Sequence, residues 1–146
     1  MKPKIIKGGN FKDHRGELKF NNSFDLSPIK RFYSIIFRKN NEIRGWQGHK
    51  IEQRWFSAIS GNFTIKLIKV DNWEKPGNDL DQFEYKLESN SLDVLYVPAG
   101  YLTCLISESS NSIILSMSDY SMDEINDNYK FSLKHFKINS IQYEKN

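Results

Sequence analysis

The chain has 146 residues, 38% of them hydrophobic and 14% aromatic, which suits one globular core and is too aromatic for a disordered chain. A net charge of +3, with lysines scattered from Lys2 to Lys145 and no basic block, excludes a surface built to follow a nucleic acid backbone. The single Cys104 excludes an internal disulfide framework and a cysteine zinc site; no apolar run is long enough to span a membrane, and no apolar signal segment follows Met1-Lys2-Pro3-Lys4, so a cytoplasmic protein with no membrane contact is expected.

In chain order, Lys4-Ile5-Ile6-Lys7 reads as a short strand ended by Gly8-Gly9. Asp13-His14-Arg15-Gly16 reads as a turn before a second short strand, Glu17-Leu18-Lys19-Phe20. After a loop from Asn21 to Pro28, the run from Ile29 to Phe37 is rich in β-branched and aromatic residues, as a buried strand should be, and Arg38 to Glu42 breaks it. The stretch from Arg44 to Gln53 then reads as a connection between strand-like runs. It carries an anion-binding Arg44, a stacking Trp46 and a His49 that titrates near neutral pH, with two glycines that let the backbone bend closely around them. Any active site is expected here.

Arg54 to Ile59 and Phe63 to Val70 flank the tight turn Ser60-Gly61-Asn62 and read as a hairpin. A loop containing Pro76-Gly77 follows, and further strands are expected at Gln82 to Leu87, Val94 to Val97, Leu102 to Ser107 and Ser112 to Met117, with Pro98-Ala99-Gly100 as punctuation. Ser121 and Glu124 have capping-box spacing, which predicts a short C-terminal helix running to about Tyr129. Short strands at roughly ten-residue spacing indicate an all-β sandwich or barrel such as a jelly roll. There is no internal repeat; one domain over 1–146 is expected, with a core of about 8–131 and a tail of 132–146.

The segments Asp13-His14-Arg15-Gly16, Ile29 to Tyr33, Arg44 to Lys50, Gln53 and Pro98-Ala99-Gly100 resemble, in order and spacing, the RmlC-like cupins that act on deoxythymidine-diphosphate 4-keto-6-deoxy sugars. These are the sugar 3,4-ketoisomerases of the WxcM-like group and the related dTDP-4-dehydrorhamnose 3,5-epimerases. The ketoisomerases carry an arginine and a glycine followed by His-Ala-His-Lys. Here the first histidine position is Gln47, the alanine is Gly48, and the second histidine is retained as His49. The histidine of the epimerases would also fall at Gln47, with a second beyond the Pro-x-Gly turn, where this chain reads Tyr101-Leu102-Thr103-Cys104.

The resemblance implies a cupin jelly-roll barrel and an isomerase of a dTDP-linked 4-keto-6-deoxy sugar, most simply a 3,4-ketoisomerase serving a surface-polysaccharide sugar. A 3,5-epimerase on the same class of substrate, or a cupin that binds a sugar nucleotide without converting it, remain the alternatives. His49 and Tyr33 are the expected catalytic residues, the first as the base of enolisation and the second as donor to the developing oxyanion. Arg44, Arg31 and Arg15 are expected to hold the diphosphate of the nucleotide-sugar substrate, and Gln47, Trp46, Gln53 and Tyr101 to contact the rest of it. Metal-binding cupins would draw ligands from the positions of Gln47, His49, Gln53 and Thr103, a set with one imidazole and no carboxylate, so neither a metal nor another cofactor is expected. The resemblance also implies a homodimer that exchanges N-terminal strands. Trp55, Phe56, Phe63, Ile65 and Leu67 are read as core, Cys104 as inert, and His14 and His135 as surface or packing residues.

Overall fold

Alternation along the strands decides the architecture: residues two apart share a face, so each apolar run of period two presents one side to a core. The computed structural model describes residues 1–136, as β1 (Lys4–Ile6), β2 (Gly9–Asp13), β3 (Gly16–Phe20), β4 (Arg31–Phe37), β5 (Ile43–His49), β6 (Arg54–Ser60), β7 (Asn62–Lys69), β8 (Gln82–Glu88), β9 (Val94–Val97), β10 (Tyr101–Ser107), β11 (Ser112–Ser118) and β12 (Tyr129–Lys130). Two antiparallel five-stranded sheets, ordered β1-β9-β6-β11-β4 and β12-β5-β10-β7-β8, form the jelly roll, and β2 and β3 make a separate two-stranded ribbon. The main core joins Phe56 and Ala58 of β6, Phe63, Ile65 and Leu67 of β7, Leu95 and Val97 of β9, Leu105 of β10 and Ile114 of β11. The outer face of the β5-β10-β7 sheet is also buried, as Trp46, Ile68, Leu102, Cys104, Ile106 and Phe136 pack together there.

Every expected strand is present within a residue or two of its expected bounds, and Gly61 occupies the hairpin turn at φ 75°, a conformation that favours glycine. Two expectations need correction. The stretch from Arg44 is not a connection: it lies mostly within β5, which pairs with β10 on one side and β12 on the other. Gly48 permits this pairing, since a Cβ there would meet the Leu102 Cα at 2.9 Å and the Tyr101 carbonyl oxygen closer still.

The helix after Ser121 does not form. The Ser121 amide donates to Glu124 Oε1 at 2.9 Å and the Glu124 amide donates to the Ser121 carbonyl at 3.1 Å, but these bonds close a turn only. Asp123 leaves the helical region at φ 61°, and the chain beyond it is drawn to β5, where Tyr129 pairs with Gly48 and Lys130 with Gln47. Of the expected tail, residues 132–136 belong to the structure described, with Phe136 packed edge-on against Trp46 at 5.6 Å between ring centres; residues 137–146 lie outside it.

Gly48→Ala should destabilise the protein by about 1–3 kcal/mol, the usual cost of forcing an extra carbon into a filled space. Urea denaturation monitored by tryptophan fluorescence would measure this.

Candidate functional site

The inner face of the barrel changes character from one end to the other. On β4 the inward residues run Arg31, Tyr33, Ile35, Phe37; on β6 they run Arg54, Phe56, Ala58; on β11, read backwards, Ser118, Ser116, Ile114. The polar members sit side by side because Ser118 pairs with Arg31 and Arg54, and Ser116 with Tyr33 and Phe56. This polar end opens into a pocket of about 590 Å3 lined by residues that include Arg31, Tyr33, Gln47, His49, Glu52 and Arg54. Its remaining wall comes from the 121–128 segment, through Met122, Asp127 and Asn128 among others.

His49 ends β5 and is buried. Its Nδ1 lies 2.8 Å from the Asp127 carbonyl oxygen and 3.0 Å from Glu52 Oε2. Both neighbours are acceptors, so Nδ1 carries the proton and Nε2 keeps its lone pair for a substrate. Contact with Glu52 favours the imidazolium, but burial first and the Arg54 charge second outweigh it and hold the ring below its ordinary value of 6.5. His49 is therefore neutral at pH 7 and able to accept a proton.

Glu52 is buried among charges. Oε1 accepts from the Ser118 hydroxyl at 2.6 Å and lies 3.6 Å from Arg31, while Oε2 lies 3.5 Å from Arg54. Burial would raise its carboxyl, but the Ser118 hydrogen bond, Arg54, His49 and Arg31 together hold it below 4.5. Arg54 also donates to the Tyr33 hydroxyl at 2.7 Å and to Ser116 Oγ at 3.2 Å. Burial pushes the Tyr33 phenol up, yet the Arg54 charge, the hydrogen bonds with Ser116 and Arg54, and the Arg31 charge bring it below its usual 10.0. A neutral imidazole and an acidified phenol thus face one pocket, the pairing that general acid-base catalysis uses.

Asp127 holds the loop between β5 and β6. Its Oδ1 accepts from the Lys50 amide at 2.9 Å, and its Oδ2 accepts from the Ile51 and Glu52 amides, each at 2.8 Å. One ligand atom from each of His49, Glu52 and Asp127 can be chosen so that all lie within 4.8 Å of one another, a spacing a metal ion could use. The donors are committed elsewhere: Asp127 to three backbone amides, the His49 Nδ1 to its two acceptors, and Glu52 to Ser118 and two guanidinium groups that would repel a cation. The set does not fit a metal centre.

Of the expected site residues, the fold brings together His49, Tyr33, Arg31 and Gln47. Gln47 donates to Asn128 Oδ1 at 2.7 Å. Arg44 stands near the other end of β5, its guanidinium over the Phe37 ring at 5.8 Å; five residues of strand separate it from His49 by about 16 Å. Trp46 faces outward into the second core, because alternation along β5 turns it away from the face that carries Gln47 and His49. Gln53 lies on the outer side of the other sheet, hydrogen-bonded to Asp119 and to the Tyr96 hydroxyl. Tyr101 pairs with His49 but is buried in the main core, where burial and neighbouring Tyr85 raise its phenol. Arg15 sits exposed at the tip of the β2-β3 ribbon, bound to Asp13 at 2.7 Å.

Glu52, Arg54 and Asp127 were not identified as site residues from the sequence. An arginine opening an otherwise apolar strand was the available signal for Arg54; Asp127 offered none.

A family model described as WxcM-like, C-terminal (FdtA) matches residues 1–139. The chain belongs to this family. No curated protein matches it. Among solved structures, it is similar to a His-to-Asn mutant of the 3,4-ketoisomerase QdtA from Thermoanaerobacterium thermosaccharolyticum in complex with TDP-4-keto-6-deoxyglucose, at 20% identity and TM-score 0.66 over 98% of this chain and 94% of that one. A dTDP sugar isomerase from Desulfovibrio desulfuricans G20 aligns at 12% identity and TM-score 0.71 over 93% and 88% of the two chains. The dTDP-4-dehydrorhamnose 3,5-epimerase of Bacillus anthracis str. Ames aligns at 17% identity and TM-score 0.66 over 83% and 75%. The WxcM-like chain thus has the RmlC-type cupin fold, and no helix among its described residues is long and apolar enough to cross a membrane.

The buried imidazole makes stability depend on pH with a definite sign. In the unfolded chain His49 binds its proton near 6.5 and in the folded chain only at lower pH, so stability falls as pH drops from 6.5 through the folded value. Glu52 adds a second loss below 4.5, where the unfolded carboxyl takes up its proton first. Urea midpoints across this range should decline in wild type, and His49→Asn should lack the first decline.

Proposed function

We propose that this protein is an isomerase of a nucleotide-diphosphate-linked 4-keto-6-deoxy sugar, catalysing 3,4-ketoisomerisation in the cytoplasm on the way to a surface-polysaccharide sugar. The observation that carries the reading is the single neutral imidazole, with Nδ1 occupied and Nε2 free, sharing a pocket with the acidified Tyr33 phenol. Moving a ketone to the neighbouring carbon requires one proton removed from one carbon and one returned to the next, which a single base can do when both lie on its face, with an oxygen-bound proton relayed between adjacent oxygens. One base and one phenol suffice for that. Epimerisation needs delivery to the face opposite abstraction, and Gln47, where a second histidine would stand, cannot take or give a proton. Binding of TDP-4-keto-6-deoxyglucose by a mutant of the 3,4-ketoisomerase QdtA, which has the same fold, supports the choice of substrate.

In this scheme His49 Nε2 removes the proton beside the ketone, Tyr33 protonates the carbonyl oxygen, and Arg31 and Gln47 hold the substrate. Incubation with dTDP-4-keto-6-deoxyglucose in heavy water, followed by NMR, should show a ketone shifted from C4 to C3 with deuterium at C4, and deuterium at C3 of any 4-keto substrate that re-forms. His49→Asn and Tyr33→Phe should each lower the rate by about 10²-fold or more. Exchange at both C3 and C5 would assign the 3,5-epimerase instead, and binding without exchange a non-catalytic role.

The homodimer with exchanged N-terminal strands belongs to the same proposal. β4 ends its sheet, with Phe32 at 72% and Ile36 at 57% exposure, while the β2-β3 ribbon carries Phe11 and Leu18 at 56% and 62%. A ribbon from a second copy packed at β4 would cover these side chains. Light scattering after size exclusion should give a dimer for wild type and a monomer for Ile36→Glu; a wild-type monomer would defeat this arrangement.

A further inference from the structure

Between the base and the acid the structure contains a continuous chain of contacts, His49 to Glu52 to Arg54 to Tyr33, at 3.0, 3.5 and 2.7 Å. Glu52 and Arg54 are both more than nine-tenths buried. We infer that Glu52 and Arg54 are positioning residues, a fixed ion pair that couples proton uptake by His49 to proton release by Tyr33. This rests on the reading of His49 as base and Tyr33 as acid.

The argument follows the charges. Before reaction the chain reads neutral, negative, positive, neutral from His49 to Tyr33. In enolisation the C–H bond breaks and its proton goes to His49 Nε2; the electron pair becomes the new C=C bond, and the carbonyl oxygen takes the Tyr33 proton. Charge is conserved, leaving an imidazolium at one end and a phenolate at the other. The chain then reads positive, negative, positive, negative, so each new charge appears beside a fixed charge of opposite sign that is already in place. Low solvent access makes these interactions stronger than they would be in water.

Other groups facing the chain reinforce this order without replacing it. From β4, Arg31 lies against Glu52 and over the Tyr33 ring; from β11, Ser118 and Ser116 bond Glu52 and Arg54; from the 121–128 segment, Asp127 faces His49 through its carbonyl while its carboxylate is held by backbone amides. From β10, Tyr101 pairs with His49. Among the described residues no hydrogen bond or ion pair joins Glu52 to Tyr33 directly; the two are linked through Arg54, which bonds the hydroxyl, and more distantly through Arg31, which lies over the ring.

The first part of the test needs no substrate. With 15N-histidine and 13Cζ-tyrosine labels, NMR titration follows His49 and Tyr33 in the full chain, assigned by His49→Asn and Tyr33→Phe. In Arg54→Met both groups should titrate at higher pH, since each loses a neighbouring positive charge. In Glu52→Gln both should titrate at lower pH, the Tyr33 shift being decisive because a local role for Glu52 would leave it still. If Arg54→Met does not fold, Glu52→Gln/Arg54→Met removes the pair together and leaves no lone buried charge. It should fold, move both titrations away from wild type, and lose about tenfold or more in deuterium exchange. Unmoved titration of Tyr33 in Glu52→Gln, or wild-type titrations in a folded Arg54→Met, would overturn the coupling. Absence of exchange in wild type would instead count against the proposed reaction, leaving the titrations to decide the ion pair.

Discussion

The site depends on one residue of the segment beyond β11. Asp127 accepts three backbone amides of the turn after β5 with its carboxylate and, with its carbonyl, the His49 Nδ1 proton. Three amides at 2.8–2.9 Å fix the path of Lys50, Ile51 and Glu52, and thereby aim Glu52 back at the imidazole two strands would otherwise leave alone. A buried carboxylate bonded in this way is costly to disturb, because it would lose three amide donors at once. The pocket wall, the tautomer of His49 and the direction of the ion pair all follow from it.

A second constraint is the polarity gradient along the inner face. Apolar residues at one end of β4, β6 and β11 fill the space between the sheets, so the polar residues at the other end have no apolar neighbours to replace and can gather around a cavity. Their charges are mutually satisfied: Glu52 stands between Arg31 and Arg54, and Arg54 between Glu52 and Tyr33. Isolated, any of these groups would be expensive to bury; together they form a rigid network. The same surroundings keep His49 neutral and Tyr33 acidified: burial first and the Arg54 charge second lower the imidazole, and against the upward push of burial the Arg54 charge leads the causes that lower the phenol.

A chain of this family that lacks the first histidine of the ketoisomerase motif therefore has an alternative source of order at the pocket end of its barrel. Gln47 keeps the position as a hydrogen-bonding wall through Asn128, while the electrostatic environment of the surviving histidine comes from β6 and from the turn before it.

Much of the fold was legible in the sequence. Alternating apolar runs separated by Gly, Pro and polar clusters determine strands locally, since a period of two has only one physical meaning when half a strand is buried. His49, Tyr33, Arg31 and Gln47, which the motif order singles out, line one pocket. The rest was decided in three dimensions. Because the stretch from Arg44 is a strand, alternation turns Trp46 away from the face of Gln47 and His49, and the length of that strand carries Arg44 away from His49. The capping signal at Ser121 was real but local, and pairing of Tyr129 with β5 prevailed over a helix. Glu52, Arg54 and Asp127 read as ordinary charges in the sequence because their significance lies in contacts from as far as 78 residues away along the chain, and only tertiary packing sets which buried charge meets which.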